Sequence, residues 1–534
     1  MRGLEIVVVI GVLVLLGGVL APWLRLPAPL VQLLLGVAVG FVPGLGDVEM
    51  PPEVVLFLFL PALLYWESLN TSLREARANV RVIFLSSVVL VLVTATTVAL
   101  VGHALGLSWP MAWVLGAVLA PTDATAVAAV AGRLPRRQAT LLRAESLIND
   151  GTALAVYGVA VGIAVGTLEI GAGGIAWRLA WSYVGGIAAG LAVASLAVLV
   201  RRRLHDVRLE NLVGLLTPFV AYLPAELLGA SGVVAVVTAG LALTQIPPTL
   251  IPARTRVQSR AFWTLTSYVL NGALFVLIGL ELHAVVAGRS ASELLAGSAI
   301  ALLVSLVVVG TRLVWSNSTP YLIRAIDRRP AQRLRRVGFR QRQPLAWAGF
   351  RGAVSLAAAL AIPATMDGGG PLEGRDLVLL VTFGVIVFTL VVQGLTLPAV
   401  VRWAHLPEDS RETEEQRLAQ REATRAAMDA MEDRAAELGV PDDVWKQVHA
   451  DYEEHLRELE LKYAVLDGEA EDRDRDSLAA LKAARRLRVA LLADKRRALA
   501  QLRHDRRIDD LVLVRMQNQL DAEEVRLSGP VDDD

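Results

Sequence analysis

Residues 80–101 read VRVIFLSSVVLVLVTATTVALV, and this stretch decides the class of fold. It contains one charged side chain, Arg81, in 22 residues, and a run of about 18 apolar residues is enough for a helix to cross a bilayer. Apolar runs also cover residues 6–20 and 377–401. A soluble core does not account for so many runs in succession, and their lengths predict about thirteen transmembrane helices. We therefore expect an all-α polytopic membrane protein.

The charged residues divide the chain into two parts. The 52 basic and 52 acidic residues cancel, but they are far denser from Glu408 onward than in the apolar part before it. We expect a transmembrane domain over residues 1–407 and a helical cytoplasmic domain over residues 408–534. In the second part, residues such as Leu487, Leu491 and Leu502 recur at helical spacing and predict amphipathic helices, with breaks at residues 439–441 and 466–476. A regulatory or dimer-supporting role and a passive solvated one both remain open.

The charges of the loops predict the orientation of the chain. Arginines cluster in alternate loops, around residues 74–81, 133–143, 201–208, 254–260 and 324–342. The intervening loops carry acidic residues, among them Asp47, Glu169 and Asp367. Because basic loops stay on the cytoplasmic side, we expect the N-terminus outside and the C-terminus inside, in the plasma membrane. The first apolar run is longer than the core of a typical signal peptide and lacks a clear cleavage site, so we expect a retained span.

A proline, a threonine and an aspartate interrupt the apolar run of residues 113–130, WVLGAVLAPTDATAVAAV. Proline lacks a backbone donor and clashes with the preceding turn, so Pro121 is expected to break or kink the helix. Thr122 and Asp123 then lie beside freed carbonyl groups, and hard cations prefer such oxygen ligands. The alternative is that Asp123 merely caps the second half of the helix, which does not exclude ion binding.

A second polar segment, ESLINDGT at residues 145–152, opens another apolar span. Helical spacing places Ser146 and Asp150 on one face and Glu145 and Asn149 on the adjoining one. Asp150 lies more than a turn deeper than Glu145, where water is scarce and desolvation disfavours a charged carboxylate. Such a group can hold a proton or a cation but gains little from holding both, which is the minimal chemistry of ion exchange. The alternative is a buried polar network that only locks helices together.

Further ionisable residues lie within or beside the apolar runs. Arg351, in WAGFRGAVSL at residues 347–356, is expected to pair with Glu145 and leave Asp150 free to exchange ions; alternatively it extends to the cytoplasmic interface. Glu67 follows the third predicted span and either lines a cytoplasmic access path or anchors at the interface. Arg312 is expected to anchor at the interface.

Seven segments, taken together and in this order, resemble the sodium/proton exchanger family, the first family of monovalent cation:proton antiporters, and in particular its bacterial members. The segments are residues 59–68, 121–127, 145–152, 217–223, 271–281, 349–356 and 388–394. Each segment alone is weakly diagnostic. Their joint order is specific, and the resemblance covers essentially the whole membrane part.

The resemblance implies an architecture that the spacing of residues does not show. The membrane part would consist of two inverted repeats that form a dimerisation domain and a mobile core. Two broken helices would cross at the middle of the membrane, at the segments that hold Asp123 and Arg351. The protein would be a homodimer in the lipid bilayer.

The resemblance also assigns roles to individual residues. Asn149 and Asp150 match the ion-binding pair of the family, and Na+ would bind at Asp150 and Asp123. The other matches are Thr122 and Ser146, which help to coordinate the cation or keep the site polar, and a structural ion pair of Glu145 with Arg351. An Asn–Asp pair is typical of electroneutral exchange in this superfamily.

These observations predict a secondary antiporter that exchanges Na+ for H+ without a cofactor. An antiporter of the same mechanism for K+ or Li+ remains open, because oxygen ligands alone do not fix the size of the ion. A cation channel is the alternative of another class, although the sequence has no filter motif or ring of pore charges. Motifs of membrane enzymes and nucleotide-driven pumps are missing, as is a basic face for nucleic acid. The absence of cysteine excludes disulfides and thiolate metal sites.

Overall fold

The computed structural model describes residues 2–42, 55–131, 134–168, 171–247, 250–286, 289–326, 337–406, 410–467 and 472–528. The chain forms two compact units, Met1–Glu408 and Asp409–Asp534. The predicted boundary between residues 407 and 408 lies outside the described residues. Within the described ranges the regular structure is helical, and β pairing amounts to one isolated bridge between Thr365 and Pro371. The all-α fold class is confirmed.

The first unit contains sixteen helices among its described residues, which we number in chain order. They are α1 (Arg2–Leu24), α2 (Ala28–Gly40), α3 (Leu60–Leu69), α4 (Leu73–Ala78), α5 (Val80–Ala104), α6 (Trp109–Leu119), α7 (Ala124–Ala131), α8 (Arg136–Val165), α9 (Ala172–Arg201), α10 (Val207–Leu227), α11 (Gly232–Leu243), α12 (Ala253–Val286), α13 (Ala291–Ile326), α14 (Phe339–Trp347), α15 (Ala353–Leu360) and α16 (Arg375–Ala404). Helices α5 and α16 each contain a π-helical turn, Leu85–Val89 and Thr389–Gln393, and a third such turn, Val55–Phe59, leads into α3.

Many of these helices can cross a membrane. By length and composition, seven in the described part of the chain qualify, namely α1, α5, α8, α9, α12, α13 and α16, and the bent pair α6–α7 makes eight. The segments Ala28–Gly40, Phe57–Leu69 and Gly232–Leu243 are apolar but shorter. The long helices also expose apolar side chains on their outer faces. In α9, for example, Trp177 is 69% exposed and Val184 is 62% exposed. Such a surface matches hydrocarbon rather than water. The total of thirteen spans stays a prediction.

Small residues let the helices approach closely around the centre of the unit. Helix α2 packs on α12, where Gly36 faces the backbone of Val276 and Gly279 faces that of Leu33, so a methyl group at either glycine would collide with the other helix. Helix α6 packs against α5, α8 and α16, and its Leu115 belongs to the same buried cluster as Val98. Close packing of small residues is how helices associate in a membrane.

Two pairs of helices are interrupted, and the interruptions meet. Helix α6 ends at Leu119 and α7 begins at Ala124 with a bend of 41°, as the sequence predicts from Pro121. The second interruption separates α14 from α15 and contains Phe350 and Arg351. The backbone N–H of Asp123 donates to the carbonyl of Phe350 over 2.9 Å, which ties the two interruptions together.

The second unit consists, in its described residues, of α17 (Ser410–Asp429), α18 (Met431–Leu438), α19 (Asp442–Asp467), α20 (Asp472–His504) and α21 (Asp510–Ser528). The predicted break at residues 439–441 is present, and Gly439 adopts a left-handed φ of 62° that ends α18. Of the other predicted break, at residues 466–476, residues 466–467 belong to α19 and residues 472–476 to α20, whereas residues 468–471 lie outside the described residues. Helices α20 and α21 are joined by salt bridges from Arg496 to Asp521 and Glu524.

Candidate ion-binding site

The interruption between α6 and α7 presents both backbone carbonyls and a carboxylate. Because α6 stops at Leu119, the carbonyls at its end lack helical donors, and those of Ala120 and Pro121 accept hydrogen bonds from Nη1 of Arg351. Asp123 begins α7. Its Oδ1 accepts from the backbone N–H of Thr125 at 2.9 Å and of Ala126 at 3.1 Å, and from the Thr125 hydroxyl at 2.6 Å. Asp123 therefore caps α7 with one carboxylate oxygen.

The second oxygen of Asp123 lies against the other interruption. Its Oδ2 is so close to Gly352 that a methyl group there would collide with it. Glycine, which has no Cβ, allows this close approach of the two broken helices. Capping thus occupies Oδ1, while Oδ2 faces the segment that leads into α15.

Polar side chains of α8 hold the first interruption in place. The Ser146 hydroxyl donates to the Thr122 carbonyl at 2.9 Å and accepts from the Ala124 N–H at 3.3 Å. The Asn149 amide Nδ2 donates to the Thr122 hydroxyl at 2.7 Å. Ser146, Asn149 and Thr122 are all buried. These contacts fix the Pro121–Asp123 backbone beside the buried carboxyl group of Asp150, one helical turn along α8 from Ser146.

A cavity of about 50 Å³ lies between the two interruptions, α3, α8 and α12. Its polar wall consists of Glu67, Thr122, Asp123, Thr125, Ser146, Asp150, Asn271 and Ser355. Leucines from α3 and α12 form much of the rest, among them Leu60, Leu63 and Leu274. Since about 10–15 Å³ of such space holds one water, the cavity can accommodate a cation with a few water molecules.

The structure brings four of the five predicted ion-binding residues to the wall of this cavity, namely Thr122, Asp123, Ser146 and Asp150. The fifth, Asn149, is bonded to Thr122, and its Oδ1 is buried without a hydrogen-bond partner. Glu67, the predicted access-path residue, is half-buried and lines the same cavity. The charges that act on Asp150 are the carboxylates of Glu67 and Asp123 and the guanidinium of Arg351.

The prediction that Glu145 pairs with Arg351 is wrong in this structure. Glu145 Oε1 lies 2.5 Å from Nη1 of Arg312, and both side chains are at most 10% exposed. Arg312 also donates to the carbonyl of Leu345 through Nε at 3.3 Å and Nη2 at 3.2 Å. The predicted role of Arg312 as an interfacial anchor is replaced by that of a buried partner.

The difference between the predicted and the observed partner of Glu145 has a physical cause. Arg351 lies in the interruption itself, where the unpaired carbonyls at the end of α6 attract its guanidinium, as cations are favoured at helix C-termini. Its backbone N–H is held by the Thr389 hydroxyl at 3.2 Å. Arg312 was recognisable as more than an anchor, because it lies twelve residues before Arg324 in an otherwise uncharged run, or about 18 Å along a helix. A side chain at that depth does not reach the interface.

Ser355 was not predicted as a site residue. It is 1% exposed, lines the cavity, and its hydroxyl has no hydrogen-bond partner in the structure. Its position three residues after Gly352, on the first turn of α15, is the signal that could have indicated it. No group of three or more His, Asp or Glu side chains is placed to hold one metal ion together in the described ranges, so a cation in this cavity would depend on mixed ligands.

The chain is similar to known proteins over most of its length. Residues 11–403 match the family model described as "Sodium/hydrogen exchanger, transmembrane". An uncharacterized Na(+)/H(+) exchanger of Mycobacterium tuberculosis, Rv2287, is 45% identical over 533 residues, 99% of this chain and 97% of that protein. A sodium, potassium, lithium and rubidium/H(+) antiporter of Bacillus subtilis is 30% identical over 70% of this chain and 57% of its own length.

A solved structure has the same fold. It is the sodium proton antiporter MjNhaP1 from Methanocaldococcus jannaschii at pH 8, which matches with a TM-score of 0.59 at 19% identity and covers 76% of this chain and 100% of that one. The family model spans most of the chain, and the mycobacterial relative matches it almost from end to end. The chain therefore belongs to the transmembrane sodium/hydrogen exchanger family, whose members are multi-pass secondary transporters and not enzymes.

Proposed function

We propose that the protein exchanges Na+ for H+ across the plasma membrane by alternating access, with Asp150 binding the cation and the proton in turn. One observation carries this proposal. The buried carboxyl group of Asp150 shares a cavity of about 50 Å³ with Asp123, between two interrupted helices that are bonded to each other. Discontinuous helices around a central site are a recurring design of secondary transporters.

The ligands of the cation follow from the bonds that are already made. Asp123 uses Oδ1 as a cap, while its Oδ2 lies against Gly352, and both residues line the cavity. Asp150 supplies the second carboxylate, and the hydroxyl groups of Thr122 and Ser146 supply neutral oxygens. Carboxylate and hydroxyl oxygens suit a hard monovalent cation. Na+ would bind between Asp150 and Asp123, while Asn149 orients Thr122.

Competition at one carboxylate couples the two ions. A desolvated carboxylate is stabilised by a proton or by a cation, and once one is bound the other gains little. Because Asn149 is neutral, the Asn149–Asp150 pair contributes one carboxylate that can exchange a proton for a cation. This supports the proposal of one Na+ per H+, which is electroneutral exchange. Glu67 lines the same cavity and is proposed to belong to the cytoplasmic access path.

The alternative is an antiporter of the same mechanism for K+ or Li+, and one observation favours keeping it. The Bacillus subtilis relative is named for sodium, potassium, lithium and rubidium. The cavity wall offers oxygens from several side chains rather than a rigid ring, and such a site does not select strongly by size.

The decisive test measures ion-driven proton flux in proteoliposomes. Adding Na+, K+ or Li+ should collapse an imposed pH gradient, and Asp150→Asn should abolish the response while the variant elutes and melts as the original does. A matched control is Asp376→Asn, because that carboxylate is exposed at the start of α16. Full exchange by Asp150→Asn would refute the assignment. Clamping the voltage with an ionophore tests electroneutrality, since the flux of an electroneutral exchanger does not change.

Several architectural predictions belong to the same proposal. We propose thirteen spans, inverted repeats, an external N-terminus and a cytoplasmic C-terminus, in a homodimer embedded in the bilayer. The seven long apolar helices, the three shorter ones and the two interrupted pairs support twelve of the thirteen proposed spans. Cysteines introduced one at a time into the naturally cysteine-free chain allow labelling from each side of the membrane, and crosslinking reports the dimer.

The cytoplasmic domain over residues 408–534 is proposed to regulate exchange or support the dimer. It forms a compact unit with its own buried leucines, for example Leu492, as expected of a folded domain rather than a solvated tail. Truncation after Pro407 should alter the pH profile of exchange or the dimer. If neither changes, the domain has no such role.

A further inference from the structure

A second, larger cavity lies apart from Asp150. It has a volume of about 300 Å³, several times that of the cavity at Asp150, and lies between the start of α5, the start of α8, the end of α13 and α14. On the proposed orientation it is at the cytoplasmic side, because the arginine-rich loops border it.

The wall of this cavity is strongly basic. Five arginines line it, contributed by four helices, namely Arg81, Arg137, Arg312, Arg324 and Arg342. Glu145 is the one acidic residue among the described lining residues, and it is already bonded to Arg312. Among the described lining residues, arginines therefore outnumber acidic residues by five to one. Like charges gathered around a confined space repel unless an anion lies between them.

Two of these arginines, Arg324 and Arg342, lie close together against one aromatic ring. The guanidinium carbons of Arg324 and Arg342 both lie 5.4 Å from the ring centroid of Tyr321, so one aromatic ring holds two cations together. Arg342 Nη1 is buried and has no hydrogen-bond partner in the structure. A buried charged donor without an acceptor is costly, and it indicates that an acceptor belongs there.

The remaining wall is apolar and includes Val82, Leu85, Leu141 and Ile323. Together these features describe a ligand with an anionic head and an apolar body. Arginine forks match phosphate oxygens in geometry, and basic pockets between membrane helices on the cytoplasmic side bind anionic headgroups.

We propose that this cavity binds a phosphate group, and that its source is the headgroup of an anionic phospholipid whose glycerol and first methylene groups contact the apolar wall. The same oxygens could come from free phosphate, so the experiment separates the two sources.

The test uses the full-length protein, purified in neutral detergent and incubated with phosphatidylglycerol, with phosphatidylcholine, or with inorganic phosphate at matched ionic strength. Native mass spectrometry counts the retained phospholipid, and thermal unfolding reports stabilisation by each probe. The variant Arg137→Gln with Arg342→Gln removes two donors of the cavity. Its matched control, Arg208→Gln with Arg260→Gln, removes two exposed arginines that do not line it.

We expect the original protein and the control to retain phosphatidylglycerol and to melt at a higher temperature with it. The cavity variant should bind it roughly 30-fold more weakly, since each arginine near an anionic headgroup contributes about a fivefold factor. If inorganic phosphate stabilises the original protein, the lipid does not, and the cavity variant loses this stabilisation, then the cavity is a phosphate site whose ligand is free phosphate. Equal retention by the cavity variant and the control, or no preference for phosphatidylglycerol over phosphatidylcholine, overturns the proposal.

If the double variant does not fold, the single variant Arg342→Gln replaces it, with Arg208→Gln as the matched control. The expected and the contradicting outcomes are the same. The binding readout is independent of ion flux, so a failure here is distinguishable from a failure of the proposed exchange activity.

Discussion

The buried pair of Glu145 and Arg312 allows a sharp test of the structure. Their charged atoms are 2.5 Å apart and both side chains are at most 10% exposed. Charge centres roughly 4 Å apart attract by about 4 kcal/mol at an effective dielectric constant near 20. Removing one partner leaves the other charge buried and unpaired, and measured costs of such changes are about 3–5 kcal/mol. Glu145→Leu and Arg312→Met should each destabilise the protein by this amount.

The two changes together should cost far less than their sum. The double variant contains no unpaired charge, and exchanging a buried ion pair for apolar side chains of similar volume is often nearly neutral. We therefore expect a coupling free energy of about 3 kcal/mol in a double-mutant cycle, measured by denaturant titration of the purified protein in detergent. The lost hydrogen bonds of Arg312 to the Leu345 carbonyl occur in both arms of the cycle and cancel.

A parallel cycle of Glu145→Leu with Arg351→Met provides the control. Because Arg351 bonds the carbonyls of Ala120 and Pro121, its coupling to Glu145 should be clearly smaller than that of Arg312. Strong coupling of Glu145 to Arg351 together with negligible coupling to Arg312 would refute the pairing described here.

Three further predictions concern the site. Gly352→Ala should weaken the apparent affinity for the transported cation roughly tenfold, because the added methyl group displaces Asp123 and overpacking costs about 1–3 kcal/mol; Gly394→Ala, where a methyl group meets open space, should leave exchange unchanged. Asn149→Leu should lower the free energy of unfolding by about 1–3 kcal/mol, since the buried Thr122 hydroxyl loses its donor, and chemical denaturation measures this. Protons and cations that compete for one carboxylate make the apparent cation affinity depend on pH. In flux assays this affinity should fall about tenfold for each pH unit in the range where the carboxylate is protonated, and should be constant at higher pH where it is ionised. An affinity independent of pH would contradict competition.

Much of the site could be predicted because local sequence carries it. The break at Pro121 follows from the missing backbone donor, and the shared face of Ser146 and Asp150 follows from helical periodicity. That Asp123 would cap α7 was one of two interpretations, and its Oδ1 forms this cap while its Oδ2 lies against Gly352.

Partners that are distant in the chain could not be predicted in the same way. Glu145 and Arg312 are 167 residues apart, and the sequence alone does not say which arginine reaches the carboxylate. The choice depends on which guanidinium the freed carbonyls of α6 attract, and that is a property of packed helices. The second cavity is likewise formed by four helices whose arginines look like ordinary cytoplasmic loop charges in the sequence.

The sequence by itself determined that the chain is an all-α membrane protein of the sodium/hydrogen exchanger family, with a charged helical tail and a deep carboxylate at Asp150. These properties reside in apolar run length, helical period and short motifs, which are local. The tertiary structure decided that Asp123 Oδ2 meets Gly352, that Arg312 holds Glu145, and that Ser355 and Glu67 share the cavity of Asp150. Those contacts depend on the mutual placement of interrupted helices, because a side chain finds its partner across space and not along the chain.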